Sequence, residues 1–298
     1  MNKILFIIGL FIALLNLITI VLCEVFLKTN IKKFPSSNSI NERKWLKNTE
    51  YKDHYIVAYD KKILHAISVK NITSNWVIIV HGYDSEALNM ACYAKNFYNM
   101  GYSVLLIDQR GFGLSEGNET TMGNKEKLDL LKWVDHLNNN GAEKIILFGV
   151  SMGASTVMLA SNKISANVRL IIEDCGYTSA WNEFYLKAKE LKLPGTDLLM
   201  ETVNKINIKK AGYDFKDASP VKAIKKAKVP MLFVHGSGDT FVPFFMLSEL
   251  YDAYGGPYKD FLVVEGAGHA RCSVYGWDAY EKKLDKFLDK FIFSEVNA

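Results

Sequence analysis

The chain has 298 residues, a length that suits one large α/β domain or two small ones, and its 49% hydrophobic and 23% charged residues exclude a mainly disordered chain. The 36 Lys and Arg residues are balanced by 32 scattered Asp and Glu residues, which argues against a nucleic-acid partner. Four cysteines form no CxxC pair or Cys/His cluster, so we predict no disulfide framework and no metal site.

The first predicted element is an apolar run at residues 4–23. A helix of that length covers about 30 Å, the thickness of the hydrocarbon core of a bilayer. A cleaved signal peptide has small residues before the cut, whereas this run ends I-V-L-C-E. We therefore predict that residues 1–27 are a transmembrane anchor or an uncleaved signal, and that the protein spans the cell membrane once.

The orientation of this segment is less well defined by the sequence. Lys3 precedes the run, and Lys28, Lys32 and Lys33 follow it, which by the positive-inside rule favours a cytoplasmic domain. A short tail with one lysine ahead of a first apolar segment is also how exported domains begin. We favour an extracellular domain.

Residues 28–50 are predicted to be a linker, and residues 51–298 the folded domain. Short apolar runs predict buried strands at 76–80, 103–107, 144–148, 168–172, 230–234 and 261–264. Stretches with helical spacing lie between them, at 86–100, 120–139, 152–163, 244–254 and 275–293. Apolar strands that alternate with helices indicate an α/β fold, with a parallel sheet covered on both faces.

Two further segments depart from this alternation. Residues 54–59 and 63–69 alternate between apolar and polar side chains, which predicts an antiparallel hairpin at the sheet's edge. Residues 177–228 contain helical pieces but no predicted strand. An insertion of that size between two strands is a candidate cap over the site.

The sequence G-V-S-M-G at residues 149–153 follows a predicted strand and opens a predicted helix. This is the G-x-S-x-G pattern, in which a sharp turn lifts the serine hydroxyl above the sheet and leaves no room for a Cβ at the flanking glycines. Ser151 is therefore the predicted nucleophile. An ordinary turn with an N-capping serine is the alternative.

A serine hydroxyl needs a base, which is in turn oriented by an acid. His269 lies in a Gly-rich loop after the last strand, at the sheet edge that also carries the serine, and is the predicted base. Asp239 follows the preceding strand and is the predicted acid, with Asp174 as its competitor. His81 and His235 also end strands, and we interpret both as structural.

Acyl transfer also requires hydrogen-bond donors for the developing oxyanion. The backbone N–H of Met152, directly after the nucleophile, is the predicted first donor. The second is the N–H of Tyr83, in the H-G-Y-D-S loop after the strand at 76–80.

Together these motifs, with D-Q-R-G-F-G-L-S at residues 108–115 and G-S-G-D at 236–239, resemble the α/β-hydrolase superfamily. The similarity is to its bacterial serine aminopeptidase-like and monoglyceride-lipase-like branch, whose members often carry an N-terminal membrane segment. The resemblance implies an eight-stranded, mostly parallel sheet with a helical cap, no cofactor, and hydrolysis of esters, amides, thioesters or lipids.

The function predicted from the sequence is therefore that of a serine carboxylesterase acting on small-molecule esters. Peptide or amide hydrolysis is an alternative that needs a site for the substrate's amino terminus, with the cap acids Glu183, Glu190 and Asp197 as candidates. Acylglycerol hydrolysis, acyl transfer and a non-catalytic scaffold are further alternatives. The sequence does not indicate the acyl length, the alcohol or the oligomeric state.

Overall fold

A computed structural model describes residues 40–190, 192 and 195–293 of the protein. Eight strands form one sheet: β1 (Lys52–Val57), β2 (Ile63–Val69), β3 (Asn75–Val80), β4 (Ser103–Ile107), β5 (Lys144–Val150), β6 (Val168–Asp174), β7 (Met231–Gly236) and β8 (Lys259–Val264). Their order is β1-β2-β4-β3-β5-β6-β7-β8. β2 runs antiparallel to both neighbours, and the other pairs are parallel. The predicted fold class is confirmed, with strand bounds moved by one or two residues.

The helices cover both faces of this sheet. They are α1 (Ile40–Asn48), α2 (Ala91–Asn99), α3 (Glu126–Asn139), α4 (Met152–Ala160), α5 (Ala180–Glu190), α6 (Thr196–Ala211), α7 (Pro220–Ala223), α8 (Phe245–Ala253), α9 (Cys272–Tyr275) and α10 (Trp277–Leu288). On one face, α1, α2 and α10 pack against alternate strand residues such as Val77 and Ile79. On the other face, α3, α4 and α8 pack against Ile78 and Val80. The strands read as continuous apolar runs because both of their faces are buried.

The helix predicted at 120–139 begins at Glu126. Met122 and Gly123 have φ values of 52° and 87°, which cannot continue a right-handed helix. The N–H and hydroxyl of Thr121 instead donate hydrogen bonds to the Glu126 carboxylate, at 2.7 and 2.6 Å. The Glu126 carboxylate thus holds the turn that precedes the helix, a contact that hydrophobic spacing alone does not reveal.

The predicted linker at 28–50 differs from the structure in its described part, which contains α1. Leu46 of this helix is completely buried. The Trp45 ring packs on Tyr98 of α2 with 5.7 Å between the ring centroids. This end of the predicted linker is therefore packed against the domain.

None of the helices within the described residues has the length and apolar character needed to cross a bilayer. The predicted anchor at residues 4–23 lies outside the described residues, and it remains a prediction together with its orientation.

The region between β6 and β7 is helical, as predicted for the cap, and contains α5, α6 and α7. Its apolar side chains, among them Phe184, Leu199 and Phe215, form a third buried cluster with Met152 and Val242. Met152 begins α4, just after the carboxyl end of β5, and Val242 lies in the turn that follows β7. The cap therefore lies over the sheet edge at which the predicted site residues were expected.

The loop after β4 is held by a buried arginine. The Arg110 guanidinium donates two hydrogen bonds to the Asp129 carboxylate, both at 2.7 Å, and a third to Asp60 at 3.0 Å. Arg110 is 1% exposed. This paired geometry fixes the loop that carries the D-Q-R-G-F-G-L-S sequence against α3.

Replacing Arg110 with methionine leaves the Asp129 carboxylate buried without its partner. We expect the free energy of unfolding at pH 7 to fall by about 3–5 kcal/mol, measured by urea unfolding with circular dichroism. Arg169→Met, at an exposed position of β6, should change it by less than about 0.5 kcal/mol. Adding Asp129→Leu to Arg110→Met should recover part of the loss. Equal effects of the two arginine substitutions would contradict this role of Arg110.

Candidate active site

Ser151 lies on a sharp turn between β5 and α4, with φ 58° and ψ −118°. The two flanking glycines are required by contact. A Cβ on Gly149 would lie 2.3 Å from the carbonyl oxygen of Gly153, and a Cβ on Gly153 would lie 2.1 Å from the carbonyl oxygen of Val80. The backbone of Ser151 adopts a conformation that L-residues rarely take, and this holds the serine hydroxyl above the sheet edge.

The structure brings the predicted serine, histidine and aspartate together. Ser151 Oγ lies 2.9 Å from His269 Nε2, and His269 Nδ1 lies 2.8 Å from Asp239 Oδ2. With the Nδ1–H donating to the carboxylate, Nε2 is free to accept the serine hydroxyl proton. The three side chains form one hydrogen-bonded chain.

Asp239 is held as a carboxylate by its surroundings. Its Oδ1 accepts hydrogen bonds from the N–H groups of Phe241 and Val242, at 2.9 and 3.0 Å. Burial alone would raise the pKa of Asp239, but hydrogen bonds from His235 and His269, and their positive charge when protonated, hold that pKa well below its usual range. Asp239 is therefore ionised at neutral pH and can orient the imidazole.

Asp174, the competing acid, lies beneath this group without joining it. Its Oδ2 accepts the hydroxyl hydrogen of Tyr280 at 3.1 Å, and the hydrogen bond of His269 Nδ1 goes to Asp239. Burial raises the pKa of Asp174 to about 6, although the Tyr280 hydrogen bond opposes that shift. The contacts favour Asp239 as the partner of the histidine.

Glu173, the residue before Asp174, is completely buried. One carboxylate oxygen accepts the Gly176 N–H at 2.9 Å, while the other has no hydrogen-bond partner among the described residues. Burial raises the pKa of Glu173 to about 8, against the attraction of His235, and Asp174 adds to the rise. Glu173 is thus mostly protonated at neutral pH.

Because of this raised pKa, Glu173 destabilises the folded protein increasingly as the pH rises. In the unfolded chain the group loses its proton near its ordinary pKa of 4.5, whereas the folded protein retains it up to about 8. Rising pH therefore favours the unfolded state between those values. The measurement is the free energy of unfolding in urea for the wild type and for Glu173→Gln, at pH 5 and at pH 8. We expect the difference between variant and wild type to shift in favour of the variant by about 2–4 kcal/mol from pH 5 to pH 8.

The control for this experiment is Glu249→Gln, at an exposed position of α8. Its effect on the free energy of unfolding should be the same at both pH values. If the Glu173→Gln effect were also independent of pH, then Glu173 would not be protonated in the folded protein.

The two predicted oxyanion donors lie beside Ser151. Met152 opens α4, where N–H groups have no intrahelical acceptor. Tyr83 follows Gly82, on which a Cβ would lie 3.2 Å from Ser151 Cβ, so the backbone of this loop is packed against the serine. Tyr83 and Met152 both line the cavity that contains Ser151.

His81 holds the loop that carries Tyr83. Its Nδ1–H donates to the Gly82 carbonyl at 2.7 Å, and its Nε2 accepts the Gln109 N–H at 3.0 Å. The Gln109 side chain donates back to the His81 carbonyl at 2.6 Å. Burial lowers the pKa of His81, which keeps the ring neutral as these contacts require. Gln109 was not identified from the sequence, where it stands in the motif without a distinguishing pattern.

A cavity of about 360 Å³ opens onto Ser151 beneath the cap. Its lining is mostly apolar and consists of Tyr83, Met122, Ser151, Met152, Tyr177, Glu183, Phe184, Lys187, Phe241 and Val242. Met122, Tyr177 and Phe241 could not be recognised as lining residues from the sequence, because they come from separate loops that meet in the fold.

The three cap acids have different surroundings. Glu183 lines the cavity. Glu190 pairs with Lys187 at 3.3 Å, and Asp197 accepts the hydroxyl hydrogen of Tyr185. Both oxygens of Glu183 lack a hydrogen-bond partner among the described residues, an arrangement that costs about 1–3 kcal/mol.

Among the described residues, Cys175, Asp239 and His269 form a group that could chelate a metal ion, with ligand atoms within 4.8 Å of one another. Burial raises the pKa of the Cys175 thiol well above its usual value. A neutral thiol is a poor metal ligand. Asp239 and His269 are moreover hydrogen-bonded to each other, so the donor set fits a metal poorly.

The strand order, with helices on both faces and a helical insertion between β6 and β7, is that of the α/β-hydrolase fold. The family model described as "Serine aminopeptidase, S33" matches residues 72–202. YqkD of Bacillus subtilis, an uncharacterized protein, is 33% identical over 235 residues, which are 78% of this chain and 76% of the relative. The chain therefore belongs to the α/β-hydrolase superfamily, and it is a hydrolase.

Solved structures agree with this assignment. The Pyrococcus furiosus esterase Pf2001 matches with a TM-score of 0.67 and 25% identity, over 82% of this chain and 94% of that one. Est1E from Butyrivibrio proteoclasticus, solved with ferulic acid bound, matches with a TM-score of 0.62 and 19% identity, over 81% of this chain and 100% of that one. The second similarity shows the fold alone.

Proposed function

We propose that the protein is a serine hydrolase that cleaves carboxylic esters through an acyl-enzyme on Ser151. The observation that carries this proposal is the hydrogen-bonded chain from Ser151 Oγ through His269 to Asp239, at 2.9 and 2.8 Å. The similarity to an archaeal esterase at 25% identity supports the choice of ester chemistry.

In the first half of the reaction, Ser151 Oγ attacks the ester carbonyl carbon while His269 Nε2 takes the hydroxyl proton. The carbonyl oxygen becomes an oxyanion, which accepts hydrogen bonds from the N–H groups of Met152 and Tyr83. The tetrahedral adduct then collapses, the bond to the leaving oxygen breaks, and His269 gives its proton to the departing alcohol.

In the second half, His269 removes a proton from water, and the resulting hydroxide attacks the acyl carbon. The bond to Ser151 Oγ breaks, the proton returns to the serine, and the carboxylic acid leaves. Asp239 remains ionised throughout, as its lowered pKa requires, and stabilises the imidazolium that forms twice in the cycle.

Ser151→Ala removes the nucleophile, and we expect kcat/KM for a p-nitrophenyl ester to fall by about 10⁴–10⁶-fold, because no acyl-enzyme can form without the serine hydroxyl. Covalent labelling by a fluorophosphonate probe should also be lost. Ser248→Ala, at an exposed serine of α8, serves as the matched control and should keep both properties. Full hydrolysis by the Ser151→Ala variant would overturn the proposal, and a wild type that fails to label would favour a non-catalytic scaffold.

The cavity predicts how the rate depends on acyl length. Each methylene that enters an apolar wall gains about 0.8 kcal/mol, or up to about fourfold in kcat/KM. At about 30 Å³ per water-sized group, 360 Å³ holds about ten to twelve such groups. A series of p-nitrophenyl alkanoates should therefore rise from acetate to about octanoate and then level off. A maximum at acetate would show that the cavity does not take the acyl chain.

A further inference from the structure

Building on the function proposed above, we propose that Glu183 selects substrates whose acyl group carries a hydrogen-bond donor, either a hydroxyl or an ammonium group. Glu183 is then a specificity-determining residue that contacts the substrate, and the acyl chain is polar at one point and apolar elsewhere.

The position of Glu183 carries this inference. The residue is 4% exposed, on the side of α5 that lines the cavity shared with Ser151. Neither carboxylate oxygen has a hydrogen-bond partner among the described residues. Buried polar groups in folded proteins are almost always paired, so an acid left unpaired in the wall of an active-site cavity points to a ligand group.

The charged neighbours of Glu183 do not supply that partner. Lys187, one turn later on α5, also lines the cavity, but its ammonium is bound to Glu190 and the Thr240 carbonyl, both at 3.3 Å. It also lies 5.0 Å from the centroid of the Phe241 ring. Asp239 is negatively charged and bound to His269. These contacts leave the Glu183 carboxyl group for a hydrogen-bond donor on the substrate.

The residues that border the cavity indicate that it takes the acyl part of the ester. Tyr83 and Met152, the proposed oxyanion donors, line it together with Ser151, whereas His269 is not part of the lining. The imidazole must face the departing alcohol in order to protonate it. Because the proposed oxyanion donors border this cavity and the imidazole does not line it, we place the acyl chain there, where Glu183 contacts a group on that chain.

The two donor classes differ in how they respond to pH. Burial raises the pKa of Glu183 to about 7, with Asp239 and Glu190 adding to the rise and Lys187 opposing it. A hydroxyl donates to the carboxylate and accepts from the carboxylic acid, so it pairs on both sides of pH 7. An ammonium forms an ion pair with the carboxylate, whereas with the neutral acid it donates only to an uncharged oxygen, so its advantage grows as pH rises through about 7.

The test compares p-nitrophenyl esters in matched pairs at three chain lengths, with a terminal hydroxyl or ammonium in one member and a methyl in the other. For at least one length we expect the wild type to prefer the polar member by about tenfold or more in kcat/KM. Glu183→Leu should abolish or reverse the preference. Glu183→Gln should keep the preference for hydroxyl and lose that for ammonium.

Glu249→Gln, at an exposed position of α8 outside the cavity, is the control and should leave every ratio unchanged. The ratio within a pair is a readout that a merely structural role of Glu183 does not move. Wild-type ratios near one at all lengths, with rapid hydrolysis that still depends on Ser151, would overturn this inference and leave the proposed function intact. Hydrolysis of no ester in the panel would overturn both.

Discussion

Gly153 at the start of α4 packs so closely on the carbonyl oxygen of Val80 that a Cβ at this position would lie 2.1 Å from it. This approach brings α4 directly against the end of β3. Between the two flanking glycines, Ser151 takes a φ of 58°, a conformation that costs of order 1–3 kcal/mol and persists where the surrounding structure enforces it. The same contact places the oxyanion loop beside the serine, since that loop begins at the residue after Val80. The geometry of the site therefore depends on one steric constraint between a helix and a neighbouring strand.

The loops around this point are held from behind by buried polar contacts. Asp108 accepts hydrogen bonds from the His65 ring at 2.7 Å and from the Ala87 N–H at 2.7 Å, which joins the oxyanion loop to the sheet. Gln109 fixes His81 in the same way. Because these groups are removed from water, their hydrogen bonds are costly to break. In the proposed mechanism, the donors and the imidazole are therefore in place before a substrate arrives, which is how electrostatic preorganisation lowers a reaction barrier.

The cap provides the substrate's surroundings without taking part in the triad. Its helices lie in one apolar cluster with Met152, so the wall of the cavity is continuous with the elbow that carries the nucleophile. In that wall Glu183 retains an unpaired carboxyl group, although pairing with Lys187 on the same helix would have been a simple solution. The ion pair forms instead with Glu190, towards the outside of the cap. In the proposed function, chemistry and selectivity thus come from separate parts of the chain, the sheet edge and the inserted helices.

The sequence by itself determined the alternation of strands and helices, because strands buried on both faces must be apolar throughout. It also determined the position of Ser151, because the sharp turn after such a strand leaves no room for a Cβ on either side of the serine. Two glycines in those positions are the pattern that this turn requires. His269 followed from its place in the last loop at the same edge. Asp239 was predicted as the acid ahead of Asp174, although both follow strands that end there, and the contacts of His269 and Tyr280 distinguish the two in the structure. The start of α3 at Glu126 and the role of Gln109 likewise depend on partners distant in sequence. Which of the cap acids Glu183, Glu190 and Asp197 faces the cavity was decided by how α5 and α6 pack on their neighbours. Side chains point in all directions around a helix, and tertiary contacts alone determine which side is buried.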